Sequence, residues 1–285
     1  MAGTDLHSHT TYSDGTLSPR EAVALARERG LERLAVTDHD TTAGLGEAFE
    51  AGAGLDVEIV PGVEFSTVRH GEGVHVLCYY MDPEHPELAA ELRRLRDDRF
   101  RRGEMMVEKL QALGYPISFE RVREIAHGGN IIRPHVAQAL VEAGVIPAAK
   151  DAFTDELIGS GGRAYVEKHA LDPVDAVALI HRAAGVCVLA HPGTFRETKP
   201  VPPGMIDELA EAGLDGIEAL HPEHTPEVEA RYVELAERLD LFYTGGSDCH
   251  GARYDPVRMG MRSTPPEQFE RLKTRAAELR LDLAR

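Results

Sequence analysis

The sequence predicts an α/β fold built on a largely parallel sheet or barrel, with a helical segment inserted into it. Three observations carry this. Short β-like runs alternate with helical patterns over residues 1–85 and 169–285, whereas residues 86–168 show helical patterns only. Near the two chain ends lie Asp5-Leu6-His7-Ser8-His9 and Ser247-Asp248-Cys249-His250. On a strand, residues i and i+2 point to one face, so each stretch presents a pair of metal-type ligands. A fold that brings the ends together around one site accounts for both pairs.

The elements follow in chain order. Strands are expected over residues 4–7, 33–37, 57–61, 74–79, 186–190, 216–220 and 241–244. Most are followed by a helical pattern, as a parallel arrangement requires. Ser18-Pro19-Arg20-Glu21 is a capping box with proline at the first helical position, and Gly30 closes that helix. Asp172-Pro173-Val174-Asp175 opens another helix that ends near Gly185. Within the insertion, helices are expected over 87–113, 118–127, 134–143 and 148–157, before the loop Gly159-Ser160-Gly161-Gly162. That glycine run reads as a hinge or linker, since it neither follows a strand nor ends in Lys-Ser/Thr. Residues 1–85 and 169–285 are thus expected to form the α/β barrel, and 86–168 a helical insertion, lid-like and suited to bind a substrate, or else a long set of crossover helices.

Bulk properties narrow the function. The 285 residues are 42% apolar, enough to bury a sizeable core. The formal charge of −17 opposes extended binding to duplex nucleic acid, which needs clustered Lys and Arg. It leaves room for a small anionic substrate, because bound cations can dominate a local field. Cys78, Cys187 and Cys249 are far apart and form no CxxC pair, the pattern of a reducing compartment. No signal peptide and no apolar run long enough to span a bilayer is present, so the expectation is a cytoplasmic protein without membrane attachment.

The ligand-type residues fall at the ends of expected strands. His7 and His9 end the first; Asp38 and His39 follow the second; Glu64 follows the third. His75 lies in the fourth, His191 follows the fifth, and Asp248 and His250 follow the last. In a parallel barrel the C-terminal strand ends open on one face, where catalytic groups collect. A lone histidine is ordinarily structural. Six histidines and three carboxylates on one rim would repel or pay desolvation without a cation between them. Mixed nitrogen and oxygen donors suit divalent Mn, Zn or Fe, and the lack of cysteine ligands opposes a closed structural zinc site.

These motifs, with Ser13-Asp14-Gly15, Thr37-Asp38-His39-Asp40, Pro61-Gly62-Val63-Glu64, Ala190-His191-Pro192-Gly193 and Gly246-Ser247-Asp248-Cys249-His250, resemble the PHP (polymerase and histidinol phosphatase) phosphoesterases in type and order. The resemblance implies a distorted (β/α)7 barrel and three divalent metals, manganese first, with zinc or iron as alternatives. It implies His7, His9, Glu64 and Asp248 at the first metal, and Asp14, His39 and His250 at the second. Glu64, His75 and His191 would hold the third. Asp14 stands where some branches use histidine, and a carboxylate favours harder ions such as Mn²⁺. Within the family, the insertion, Ile132-Arg133-Pro134-His135-Val136-Ala137 and Gly216-Ile217-Glu218-Ala219-Leu220-His221-Pro222 look most like the 3′,5′-nucleotide bisphosphate phosphatase and 5′-3′ exoribonuclease branch.

The implied chemistry is attack on phosphorus by a hydroxide shared between two metals. Arg133 would grip phosphate oxygens with its planar fork, and His135 and His221 would bind phosphate or protonate the leaving group. His221 has an alternative as a simple hydrogen-bonding residue. Asp38 or Asp40 would orient a ligand histidine, Cys249 would be inert, and Lys168 and His169 would be surface groups. The substrate would be a small nucleotide or a short 5′-phosphorylated RNA. A phosphatase of a non-nucleotide monoester such as histidinol phosphate, and a metal-binding accessory module without activity, are the competing readings.

Overall fold

The computed structural model describes residues 3–126, 129–168, 170–194 and 200–283. Seven strands form one sheet in sequential order: β1 (Gly3–Asp5), β2 (Leu31–Val36), β3 (Glu58–Arg69), β4 (Glu72–Tyr79), β5 (Val186–Leu189), β6 (Gly216–Leu220) and β7 (Phe242–Gly245). No ladder joins β1 to β7 among the described residues. Their continuations do meet: Ser8 bridges Cys249 in parallel, and Leu6 N donates to Gly245 O. The two chain ends therefore come together, as the ligand pairs require.

The helices between strands form as the caps dictate. In α1 (Pro19–Glu28), Ser18 Oγ accepts from Glu21 N at 3.3 Å and Glu21 Oε2 accepts from Ser18 N at 2.8 Å. In α6 (Pro173–Arg182), Asp172 accepts from Val174 N at 2.9 Å. The sheet residues alternate between two cores. Leu34, Val36, Cys78 and Leu189 face the helix-covered core, while Ala35, Val60, Leu77 and Val188 face the other, which α9 (Pro266–Leu283) seals with Phe269 and Leu272.

The sheet departs from the expected direction at one strand. β4 is antiparallel to both neighbours, paired to β3 through a hairpin whose turn residues His70 and Gly71 adopt φ of 53° and 80°. The Pro61-Gly62 pair reads as a strand end in sequence, yet β3 runs on to Arg69 because β4 pairs with it from Gly62 onward. His75 is thus near the start of its strand rather than the end. Reversal of β4 brings that start to the same rim as the C-terminal ends of the parallel strands.

The insertion is helical as expected, with α3 (Pro86–Ala112), α4 (Phe119–Ile125) and α5 (Arg133–Glu142). The fourth expected helix is only a 3-10 turn, Ala149–Ala152. The expected end of α4 at residue 127 lies outside the described residues, as does His169. Met106, Val107, Leu110, Val122, Val136 and Leu140 build a core of the insertion's own. The first half of α3 belongs elsewhere, since Leu88, Leu92 and Leu95 pack into the barrel core. Among the described residues, no helix is long and apolar enough to cross a membrane.

Candidate metal centre and active site

Glu64 is the hub of the rim. It lies in β3 and is almost completely buried. Its Oε2 stands 3.3 Å from His7 Nε2, 3.1 Å from His9 Nε2 and 3.0 Å from His39 Nδ1. Its Oε1 meets His75 Nδ1 at 2.9 Å and His191 Nε2 at 3.1 Å. The reversed β4 makes the His75 contact possible, for His75 is opposite Ser66, two residues beyond Glu64 on the same face.

The other two carboxylates complete the rim. Asp248 Oδ1 is 3.5 Å from His7 Nε2, 3.3 Å from His9 Nε2 and 3.4 Å from His250 Nδ1. Asp14 Oδ2 is 3.2 Å from His250 Nε2, and its Oδ1 is 3.6 Å from His9 Nδ1 and 4.0 Å from His39 Nε2. All nine residues singled out in the sequence are therefore brought together. The donor atoms form four overlapping groups, each within 4.8 Å: His9, Asp14, His39 and His250; His7, His9 and Asp248; His7, Glu64 and His191; His39, Glu64 and His75. These overlap the three expected ligand sets without coinciding with them.

Two of the candidate ligand residues are held in left-handed backbone, His191 at φ 27° and Asp248 at φ 47°. Non-glycine residues there cost roughly 1–3 kcal/mol each and persist where the surroundings over-determine them.

The donor set fits divalent cations. Glu64 Oε2 and His221 Nε2 are buried and lack any hydrogen-bond partner, although imidazole nitrogens crowd the former. His7 Nε2 and His9 Nε2 face one another at 3.1 Å, so both cannot carry a proton there. Burial would raise the Glu64, Asp14 and Asp248 carboxyls, but the surrounding imidazoles outweigh it and hold all three well below the usual carboxylate range. Burial depresses His39 to about 3, so it presents a lone pair at neutral pH. Carboxylate oxygens and imidazole nitrogens converging on shared points form the mixed donor set that a borderline divalent cation takes.

A second layer fixes these ligands, and the sequence analysis missed its main member. Glu218, fully buried in β6, accepts His7 Nδ1 at 3.0 and 3.1 Å through its two oxygens, and His191 N at 2.9 Å. The bond sets the His7 tautomer and turns Nε2 toward the cluster. A carboxylate in the apolar run Gly216-Ile217-Glu218-Ala219-Leu220 was the available signal. Asp5 was also missed; it accepts from His7 N at 3.2 Å, Ser247 N at 2.8 Å and Gly260 N at 2.9 Å, tying both chain ends together. Gly246 must be glycine, since a Cβ there would overlap His7 Cβ and lie 2.8 Å from Glu218 Oε1. Asp38 reaches a candidate ligand only through a hydroxyl: it accepts from Thr10 N at 2.7 Å and Ser13 Oγ at 2.6 Å, and that hydroxyl is 3.4 Å from His9 Nδ1.

A cavity of 550 Å³ opens above the rim between barrel and insertion. Arg133 lines it together with His39, Glu64, His75, His191, Asp248 and His250. The other two expected substrate residues are placed differently. His135 is buried in the first turn of α5, where its Nδ1 accepts from Ile132 N at 3.3 Å, and it does not line this cavity. That bond, from Ile132 to the residue three positions on, closes the helix start. His221 is fully buried beneath the rim, 3.6 Å from Asp248 Oδ2, and burial lowers its pKa. Ser160 and Gly159 line the cavity, so the glycine-rich loop forms part of its wall. Cys249 is buried and its thiol is pushed up by burial, consistent with an inert role.

Fold and rim together define a class: a metal-dependent hydrolase whose candidate donors come from six of the seven strands of one α/β sheet, or from the loops that follow them. Comparison with known proteins agrees. A PHP domain model matches residues 5–170. The chain is 37% identical over 250 residues to phosphoribosyl 1,2-cyclic phosphate 1,2-diphosphodiesterase of Eggerthella lenta, covering 87% of this chain and 94% of that one. It is 34% identical over 248 residues to the 5′-3′ exoribonuclease Rnm of Escherichia coli, with 86% and 84% covered. It is also 34% identical over 251 residues to the 3′,5′-nucleoside bisphosphate phosphatase of Chromobacterium violaceum, with 88% of each covered. A solved Bifidobacterium adolescentis structure, assigned as a metal-dependent phosphoesterase, superposes with a TM-score of 0.89 at 34% identity, covering 96% of both chains. The chain belongs to the PHP-domain family, and it is a phosphoric ester hydrolase.

Proposed function

We propose that this enzyme removes phosphate from small nucleotides carrying 3′ and 5′ phosphates, or nucleotides from the 5′ ends of short RNA, with three divalent cations of which manganese is the first choice. The observation that carries the reading is the convergence of five imidazoles on the two oxygens of buried Glu64, at the floor of a cavity that also presents Arg133. His7, His9, Glu64 and Asp248 would hold one cation, Asp14, His39 and His250 a second, and Glu64, His75 and His191 a third. When bound, such cations would acidify water to a nucleophile at neutral pH and neutralise charge gathering on phosphoryl oxygens.

The chain's own residues do the rest. Glu218 keeps the proton of His7 on Nδ1, so its Nε2 stays a donor to metal. Arg133 offers a planar fork to phosphate oxygens from the insertion side. His221 Nε2, buried without a hydrogen-bond partner beside Asp248, serves the rim rather than the substrate.

The nucleotide reading is favoured over histidinol phosphate by the remaining walls. Phe153 and Tyr254 both line the cavity, along with Pro192 and Val201. Each ring is backed by a guanidinium, Arg133 at 5.5 Å from Phe153 and Arg258 at 3.7 Å from Tyr254. Aromatic faces suit a base, whereas histidinol would call for carboxylates. A cytoplasmic, reducing setting belongs to the same proposal, supported by three buried free cysteines. The test is to offer the Mn²⁺-loaded protein adenosine 3′,5′-bisphosphate, AMP and a 5′-phosphorylated oligoribonucleotide. Release of phosphate or mononucleotide is expected; release from none of them overturns the proposal.

A further inference from the structure

The loop after β2 carries His39 between Asp38 and Asp40, and its backbone has two sides. One side pairs with β3: Glu64 N donates to Asp38 O at 3.3 Å, and Asp40 N donates to Glu64 O at 3.0 Å. In such a parallel bridge the residue between turns its own carbonyl the other way. The barrel leaves that carbonyl to the insertion, where Asn130 Nδ2 donates to His39 O at 2.6 Å. Asn130 is only 2% exposed, and its backbone is engaged as well, with N donating to Tyr12 O at 3.3 Å. Tyr12 lies two positions before Asp14. One residue of the insertion thus holds both barrel loops that supply Asp14 and His39, which group with His9 and His250 as candidate donors.

The neighbours of Asn130 show that the contact is built from both sides. Gly129 lies so close to the barrel that a Cβ there would come 2.7 Å from Thr11 O and 2.9 Å from Tyr12 O. Ile131, on the other side, is buried in the insertion's own core, in the space that Gly103 of α3 leaves open; a Cβ on Gly103 would overlap it. Asn130 is therefore carried by the packed body of the insertion. Arg99, also of the insertion, takes the next residue of the loop: Asp40, in left-handed backbone at φ 53°, accepts from Arg99 Nε at 2.7 Å. Two successive residues, His39 and Asp40, are gripped from outside the barrel, where a strained conformation depends on its surroundings. A buried carbonyl without its donor is costly, so loss of Asn130 would shift the loop, and His39 with it.

We infer that Asn130 is a positioning residue for the second cation, and that through it the insertion sets where His39 and Asp14 stand. The inference rests on the reading of Asp14, His39 and His250 as a cation site. Arg133, three residues on, begins α5 and lines the cavity, so one seating of the insertion forms both the cavity wall and the ligand loop. Coupling of this kind is reciprocal: a cation held by His39 steadies the insertion as much as the insertion steadies the cation.

The experiment titrates Mn²⁺ into the metal-free natural protein and Asn130→Ala by calorimetry, and follows amide hydrogen exchange over residues 129–133 with and without Mn²⁺. One class of Mn²⁺ site is expected to weaken about 10- to 100-fold in the variant, the range for outer partners of ligand histidines, while the other classes stay within about twofold. Mn²⁺ should slow exchange over 129–133 in the natural protein and not in the variant. Unchanged affinity in every class overturns the inference, as does exchange in the natural protein that ignores Mn²⁺. An equal loss in all classes also overturns it, because it would mark Asn130 as a residue of general stability. If the natural protein binds no Mn²⁺, the reading of the rim as a cation site fails, and Asn130 is judged by exchange in the metal-free proteins. Amides of residues 11–15 and 38–41 that exchange at least about fivefold faster in the variant support its hold on the two loops, and equal rates overturn it. Asn130→Ser, whose side chain is too short to reach the His39 carbonyl, replaces the alanine variant if that one does not fold.

Discussion

Individual residues at the rim carry two kinds of work, and Glu218 shows the difference. It belongs to none of the four candidate donor groups, yet it sets which nitrogen of His7 faces them. Glu218→Gln keeps the shape and removes the charge that holds the imidazole proton on Nδ1. Metal affinity should fall about 10- to 100-fold, as for other outer partners of ligand histidines; titration with Mn²⁺ against a chelating dye checks this, and unchanged affinity would refute the role. His7 itself joins the two chain ends, because Glu218, Glu64 and Asp248 all lie within 3.5 Å of its ring nitrogens. His7→Ala should therefore lower the melting temperature of the metal-loaded protein as well as its activity. Unchanged melting would contradict the idea that the site is also a clasp.

Among the elements, α3 links the insertion to the rim. Its Arg99 and the barrel's Asp40 form an ion pair from which water is almost excluded, next to His39. Burial would raise the Asp40 carboxyl, but Arg99, Lys168 and the Ser66 N–H overcome it and leave the pKa below the ordinary value. A depressed carboxyl contributes stability that is present above its unfolded pKa and lost as pH falls through the folded value. Arg99→Met would strand that carboxylate, at a cost of about 3–5 kcal/mol near neutral pH. Without its partner Asp40 would titrate above its unfolded pKa, so the variant should regain stability on mild acidification. Melting curves from pH 7.5 to 5 should show the gap between variant and natural protein closing; a constant gap would mean that Asp40 is not the stranded group. The β3–β4 hairpin is the other decisive element, since its reversal delivers His75 to Glu64.

For the molecule as a whole, the rim is built from both ends of the chain and from most strands between, so cation binding should act on global stability. Removal of metal with EDTA is expected to abolish hydrolysis and lower the melting temperature, and Mn²⁺ should restore both. Equal melting with and without metal would show that the barrel closes unaided. The family, the α/β class, the helical insertion and all nine rim residues were legible in the sequence. They depend on local signals: period-2 alternation, capping motifs and ligand-type residues at strand ends, each read within a few positions. What only the tertiary structure decided depends on contacts between distant residues. The reversal of β4 follows from pairing with both neighbours, and Glu218 meets His7 across 211 positions. Arg99 meets Asp40 across 59, and the turn of His135 into its own helix start is fixed by how that helix packs. A side chain's type says what it can bind; its direction is set by the surfaces buried around it, which no short window of the chain contains.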